Sequence, residues 1–191
     1  MTEHSWDDGT WTTEPEAMAR DGAHLLVTAR EGSDFWRTTS YGFVHDDGHG
    51  LLADFPDRSA AEVSFVAAFE EQFDQAGILA MADHEHWVKA GVEYADGAAQ
   101  LGAVVTSQLS DWSTGQVAWA GRLVTVRVSR DGDALTVRGR VDEEPWRLVR
   151  VAPIDGSLPW RAGPMTCAPT RAGLTIRFTR WTVGPADTAL H

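Results

Sequence analysis

The chain has a single cysteine, Cys167, so no intrachain disulfide can form. No run approaches the roughly 20 apolar residues that a helical bilayer span requires. Basic clusters are absent as well: 16 Lys and Arg stand against 28 Asp and Glu, for a net charge of −12. That balance argues against nucleic acid, whose affinity rests on cations neutralising phosphates, and against an anionic membrane surface. The opening residues, Met1-Thr2-Glu3-His4-Ser5-Trp6-Asp7-Asp8, are polar and acidic, the opposite of a secretory leader. Internal repeats, low-complexity tracts and Pro/Ser linkers are missing. The expectation is a cytoplasmic protein with one domain over residues 1–191 and a core over about 24–183.

What remains is rich in tryptophan, with nine in 191 residues. Such rings suit a sandwich core and a sugar-stacking surface equally well. Alternating or β-branched runs recur at His24–Arg30, Gly50–Phe55, Glu62–Phe69, Gly77–Ala82 and His86–Tyr94. They continue at Ala99–Thr106, Arg122–Ser129, Ala134–Val141, Trp146–Val151 and Leu174–Trp181. This pattern predicts an all-β sandwich. Asp96-Gly97 and Asp131-Gly132 mark hairpins, because glycine accepts the positive φ of a tight turn. Asp142-Glu143-Glu144-Pro145 then turns the chain into a three-stranded meander. Ser59 to Gln75 is ambiguous: Phe65, Phe69 and Phe73 recur at helical spacing, while Val63, Phe65, Ala67 and Phe69 alternate as in a strand.

In His86–Tyr94, period two separates Val88, Ala90, Val92 and Tyr94, a core face, from Trp87, Lys89, Gly91 and Glu93. Lys89 and Glu93 are about 13 Å apart along an extended strand, too far to bond directly. Gly91 between them leaves a shallow pit flanked by a cation and an anion. In Arg122–Ser129, Val124, Val126 and Val128 face inward, and Arg127 is expected on the face of Lys89 and Glu93 or an adjacent one. Arg150 shares a face with Trp146 and Leu148, where it needs a carboxylate or a ligand.

Four short stretches combine charge or amide with tryptophan or glycine. They are Ser33-Asp34-Phe35-Trp36, Asp74-Gln75-Ala76-Gly77, Trp87-Val88-Lys89-Ala90-Gly91-Val92-Glu93 and the loop Ser110-Asp111-Trp112-Ser113. Each member also has a plain structural reading. Aspartates near strand ends cap turns, outer-face charges are solvated, and tryptophans pack cores. His84 and His86, and the cluster His45, Asp46, Asp47 and His49, lack an identifiable third ligand, so no metal and no cofactor is expected. Nothing marks a base beside Cys167, which reads as packing.

Taken in order, the four stretches resemble a concanavalin A-like family of unknown function that includes a fungal protein named as a regulator of enolase. Gly163-Pro164, Cys167-Ala168-Pro169 and Gly173-Leu174 resemble its C-terminal pattern. The likeness runs from about Leu25 to Val183, and a more distant one is to the β-sandwich module of some β-xylosidases. The resemblance implies a jelly-roll sandwich of two antiparallel sheets, with Glu62–Phe69 as a strand. It also implies a concave face of the kind that holds sugars.

The leading expectation is a non-catalytic binding domain for a carbohydrate or another small polar ligand. Its site would comprise Asp34, Trp36, Asp74, Gln75, Trp87, Lys89, Glu93, Asp111, Trp112 and Arg127. Aromatic rings beside charged and amide groups suit polyhydroxylated ligands. A protein-interaction role in regulating a metabolic enzyme rests on the fungal name. A glycoside hydrolase needs two carboxylates at a defined separation. No Glu-x-Asp-x-x-Glu strand occurs, and Glu70 and Glu71 fall on opposite strand faces.

Overall fold

The computed structural model describes residues 1–190 and contains no α-helix among them. Its strands are β1 (Thr2–Glu3), β2 (Thr10–Trp11), β3 (Ala17–Asp21), β4 (His24–Thr28), β5 (Phe35–Arg37), β6 (Val44–Asp46), β7 (His49–Asp54), β8 (Ser59–Val66) and β9 (Gln75–Asp83). They continue with β10 (His86–Ala95), β11 (Ala98–Ser107), β12 (Leu109–Gln116), β13 (Leu123–Asp131), β14 (Ala134–Val141), β15 (Arg147–Pro153), β16 (Arg161–Cys167) and β17 (Thr175–Pro185). An eight-stranded sheet runs β15-β14-β13-β8-β17-β4-β3, with β1 also on β17. A seven-stranded sheet runs β12-β11-β10-β9-β16-β7-β2, and β5 pairs only with β6. All these pairings are antiparallel, giving the expected jelly-roll sandwich.

Alternation along each strand decides what is buried where. Val88, Ala90 and Val92 of β10 meet Ile78 and Ala80 of β9 in the core between the sheets, with Val124, Val126 and Val128 of β13 opposite. Trp119, Trp160, Phe65, Phe178 and Trp181 fill the same core. The other face of the seven-stranded sheet carries a second, smaller core. Leu52, Leu79, Met81, Trp87, Val104, Met165 and Cys167 are covered there by Phe35 and Trp36 of the β5–β6 hairpin. Covering both faces explains why Gln75 to Met81 of β9 is buried without a break.

The Asp96-Gly97 hairpin is as expected: Ala95 pairs with Ala98, and both turn residues take positive φ, 55° and 79°. Ser59–Val66 is a strand, held by β13 on one side and β17 on the other. Residues 67–74 are irregular rather than helical. Two full ladders of backbone hydrogen bonds outweigh the weak helical spacing of Phe65, Phe69 and Phe73. The Ser-Asp-Trp-Ser stretch is a correction: it lies within strand β12, paired with β11, and is not a loop.

Candidate functional site

Lys89 is the only lysine in the chain, against fifteen arginines, and it is 5% exposed. Its ammonium sits 2.7 Å from Asp34 Oδ1 and 2.9 Å from Gln75 Oε1. Burial opposes its charge, but the field of Asp34, the hydrogen bond to it and the field of Glu93 outweigh it and hold the pKa above the ordinary lysine value. Asp34 Oδ1 also accepts the Phe35 amide at 2.7 Å and the Gln75 side-chain amide at 3.3 Å. Gln75 donates further to the Phe73 carbonyl at 3.3 Å, a residue held at a strained φ of 68°. Lysine, aspartate and glutamine thus form one rigid polar floor, contributed by β10, the residue preceding β5, and β9.

Glu93 lies four residues along β10 from Lys89, on the same face. Its carboxyl has no hydrogen-bond partner among the described residues. Burial is the main influence and lifts its pKa to about 7, with Lys89 pulling down and Asp34 pushing up. Above this floor opens a cavity of about 380 Å³ lined by Asp34, Gln75, Lys89, Glu93, Trp36, Tyr41, Phe43, His45, Phe73, Val104, Trp112 and Thr170, among others. Its aromatic wall is continuous. Trp36 meets Trp112 edge-on at 6.4 Å and Tyr41 at 5.4 Å, and Tyr41 stacks on Phe43 at 5.4 Å. A shallower depression continues over Gly91 and Gly102 toward Gln100 and Thr114.

The hairpin that carries this wall is fastened from below. Ser110 Oγ accepts the Arg37 amide at 2.9 Å, and Arg37 reaches Glu85 at 3.0 Å. Asp47 holds the Asp34 amide at 3.1 Å. Within β12, Ser110 and Trp112 face the hairpin and cavity. Asp111 and Ser113 turn the other way to Arg150 of β15, at 2.8 and 3.0 Å. The carboxylate that Arg150 was expected to need is therefore Asp111.

Of the ten expected site residues, Asp34, Trp36, Gln75, Lys89, Glu93 and Trp112 come together at the cavity. Four do not. Asp111 is adjacent to Trp112 on a strand, so period two sends it to the opposite face. Trp87 shares the face of Lys89 but is fully buried under the hairpin, with its ring 5.8 Å from Phe35. Asp74 is fully buried beneath Arg171, at 2.7 Å, and accepts the Glu70 and Glu71 amides at 3.0 and 3.1 Å. Burial opposes its charge, but those donors prevail and hold its pKa down, which marks a loop anchor. Arg127 is in the other sheet, on β13, bonded to Glu62 at 2.7 Å and Asp187 at 2.9 Å. Its place on the face of Lys89 and Glu93 is thus corrected, because β10 and β13 belong to opposite layers.

The residues not anticipated are Tyr41, Phe43, His45, Phe73 and Thr170. Tyr41, Phe43 and His45 alternate over five residues of the sequence, a signal of a strand face. The histidines do not converge. His45 faces Asp47, His84 faces Asp46 and His86 faces Asp83. His49 is buried, with its pKa lowered chiefly by burial, and accepts the Arg30 amide at 3.0 Å. No group of three or more potential ligands for a metal ion occurs among the described residues. Cys167 is buried, and burial drives its thiol pKa well up, so it is no ready nucleophile.

Residues 11–186 match the family described as Protein of unknown function (DUF1349). A protein of Saccharomyces cerevisiae named Regulation of enolase protein 1 is 38% identical over 184 residues, covering 96% of this chain and 93% of its own. A crystal structure of a functionally unknown protein from Saccharomyces cerevisiae is 36% identical, with a TM-score of 0.90 over 95% of this chain and 98% of that one. The GH43 protein BlXynB of Bacillus licheniformis is 11% identical at TM-score 0.71, matching 96% of this chain but 39% of that one. An alginate lyase from Klebsiella pneumoniae is 10% identical at TM-score 0.57. At such identities the last two share the fold alone.

Proposed function

The chain belongs to the DUF1349 family of proteins of unknown function, and from its own site we propose a non-catalytic binding domain for a small polyhydroxylated ligand, a carbohydrate. The observation that carries this reading is the union, in one cavity of about 380 Å³, of a locked polar floor and an aromatic wall. Lys89, Asp34 and Glu93 offer a donor and acceptors to hydroxyl groups, and Trp36 and Trp112 offer planes to the apolar faces of a sugar ring. The volume lies at the lower end of small-molecule sites. The carbohydrate-active proteins that share the fold give the reading an analogy.

Cleavage is not part of this proposal. The second carboxyl of the cavity, Asp34, is clamped by three donors on one oxygen, a poor arrangement for a nucleophile or a mobile acid. The chain is further proposed to act as one domain, in the cytoplasm. No helix among the described residues is long and apolar enough to cross a membrane.

A second reading, a protein-binding role as a regulator of a metabolic enzyme, is favoured by the yeast relative's name and by the hairpin tip. Tyr41, Phe43 and Val44 are 56%, 44% and 50% exposed there. A thermal-shift screen of neutral sugars and metabolites with wild type and Trp112→Ala separates the two. Trp112 is 38% exposed at the cavity wall, so its loss is expected to weaken sugar binding by roughly 1–3 kcal/mol with little loss of stability. If no sugar or metabolite shifts wild type, and the protein captures a metabolic enzyme through Tyr41 and Phe43, the second reading replaces the first.

A further inference from the structure

The hydrogen-bonding capacity of the cavity is unbalanced. Of the three ammonium protons of Lys89, one meets Asp34 and one meets Gln75. The Gln75 amide donates to Asp34 and to Phe73, and the Trp36 indole donates to the Thr39 carbonyl at 2.9 Å. On the acceptor side, Asp34 Oδ2 and both oxygens of Glu93 have no partner among the described residues. With Glu93 ionised, three open carboxyl oxygens therefore stand against one free ammonium proton.

The charges are unbalanced in the same direction. Lys89 and Asp34 neutralise each other at 2.7 Å, which leaves Glu93 as the uncompensated carboxyl of the cavity. The other titratable groups lining it are His45, paired with Asp47 at 3.3 Å, and Tyr41. Cys167, below the floor, is kept from ionising mainly by burial. An anionic ligand would meet two carboxylates and a lysine already committed to one of them. A cation would meet an open carboxylate and a wall of aromatic rings, Trp36, Tyr41, Phe43 and Trp112. The chain's net charge of −12 adds a field of the same preference.

Building on the carbohydrate reading above, we infer that the ligand bears a protonated amine, an amino sugar rather than a neutral or acidic one, with Glu93 as its counter-ion. The open acceptor of Asp34 and the aromatic wall complete the ammonium site. Because Glu93 in the empty cavity holds its proton up to about pH 7, a bound ammonium ionises it and expels that proton. Binding of the amine below that pH therefore releases a proton to buffer, and affinity rises as pH approaches 7 from below.

The test is calorimetry with matched probes that differ in one group: D-glucosamine against D-glucose, D-galactosamine against D-galactose, and choline as a cation without a sugar. Titrations at about pH 6 and about pH 7, in two buffers of different ionisation enthalpy, count the protons released. An amine is expected to bind on the order of tenfold tighter than its hydroxyl counterpart. Proton release is expected at the lower pH, and the preference should collapse toward one in Glu93→Gln. Equal binding of the amine and hydroxyl members of each pair overturns the inference and leaves the carbohydrate pocket standing. Binding of choline but of no sugar upholds the ammonium site and overturns the carbohydrate pocket. If none of the probes binds, both fall. Should Glu93→Gln fail to fold, the proton count and the pairwise ratio in wild type still decide.

Discussion

Glu93 and Lys89 share one strand face and one cavity, and burial opposes the charge of both, but only one of the two charges is compensated. Lys89 has its counter-ion in contact, at 2.7 Å. Glu93 has none, and burial raises its pKa from 4.5 to about 7. In the unfolded chain that carboxyl loses its proton near the ordinary glutamate value, so between 4.5 and about 7 the folded state binds more protons. Stability through this residue is thus full below the unfolded pKa and falls as pH rises through the folded one. The expected loss approaches roughly 3 kcal/mol, reduced by whatever solvent reaches the carboxyl. Across this window the urea midpoint of wild type should fall relative to that of Glu93→Gln, a comparison that cancels the opposite trend from His49, whose pKa burial lowers. Parallel curves would show that Glu93 is solvated and unshifted. The shared face of the two residues was legible in the sequence, because period two depends on no distant partner. That Asp111 faces away from Trp112 followed from the same rule. Grouping the pair as one motif obscured it.

At the level of elements, hairpins with local turn chemistry were readable and non-local pairings were not. Asp96-Gly97 announces its own turn. By contrast, β16 and the β5–β6 hairpin find their places through contacts with distant strands, and Phe35 with Trp36 gives no sign of covering Trp87 of β10. The glycine row shows how closely these strands approach. Gly77, Gly91 and Gly102 sit in register on β9, β10 and β11. A Cβ at Gly91 would run into the Ala76 carbonyl oxygen and come within 2.7 Å of the Gly77 Cα. Backbone, unlike a flexible side-chain end, cannot step aside. Gly91→Ala should therefore cost about 1–3 kcal/mol by overpacking, and it should also disturb the floor, since Gly91 lies between Lys89 and Glu93. Denaturant unfolding checks the first effect, and ligand titration of the folded fraction checks the second. A variant as stable as wild type would mean that β9 and β10 can separate locally without loss.

For the molecule as a whole, fold class was legible because alternating runs are numerous, whereas the layer to which each strand belongs was not. Arg127 shows the difference. Period two gives its face within β13, but only the strand order places it on the sheet opposite Lys89. There Glu62 and Asp187 hold it, and Arg138 joins Asp187 as well. Two electrostatic effects of opposite sign consequently act on the sandwich. Contact pairs such as Arg127–Glu62 and Lys89–Asp34 stabilise it and are sheltered, with side chains 12%/18% and 6%/18% exposed. The excess of twelve negative charges repels itself over longer distances through solvent. Raising NaCl from about 10 to about 150 mM shortens the screening length from about 30 to about 8 Å. That change suppresses the long-range repulsion and leaves pairs within 3 Å nearly intact. The thermal midpoint at neutral pH should therefore rise with salt. A falling midpoint would show that exposed ion pairs, such as Arg122–Asp142 and Arg177–Asp21, contribute more than the repulsion takes away, and that the acidic surface is not a destabilising load on this fold.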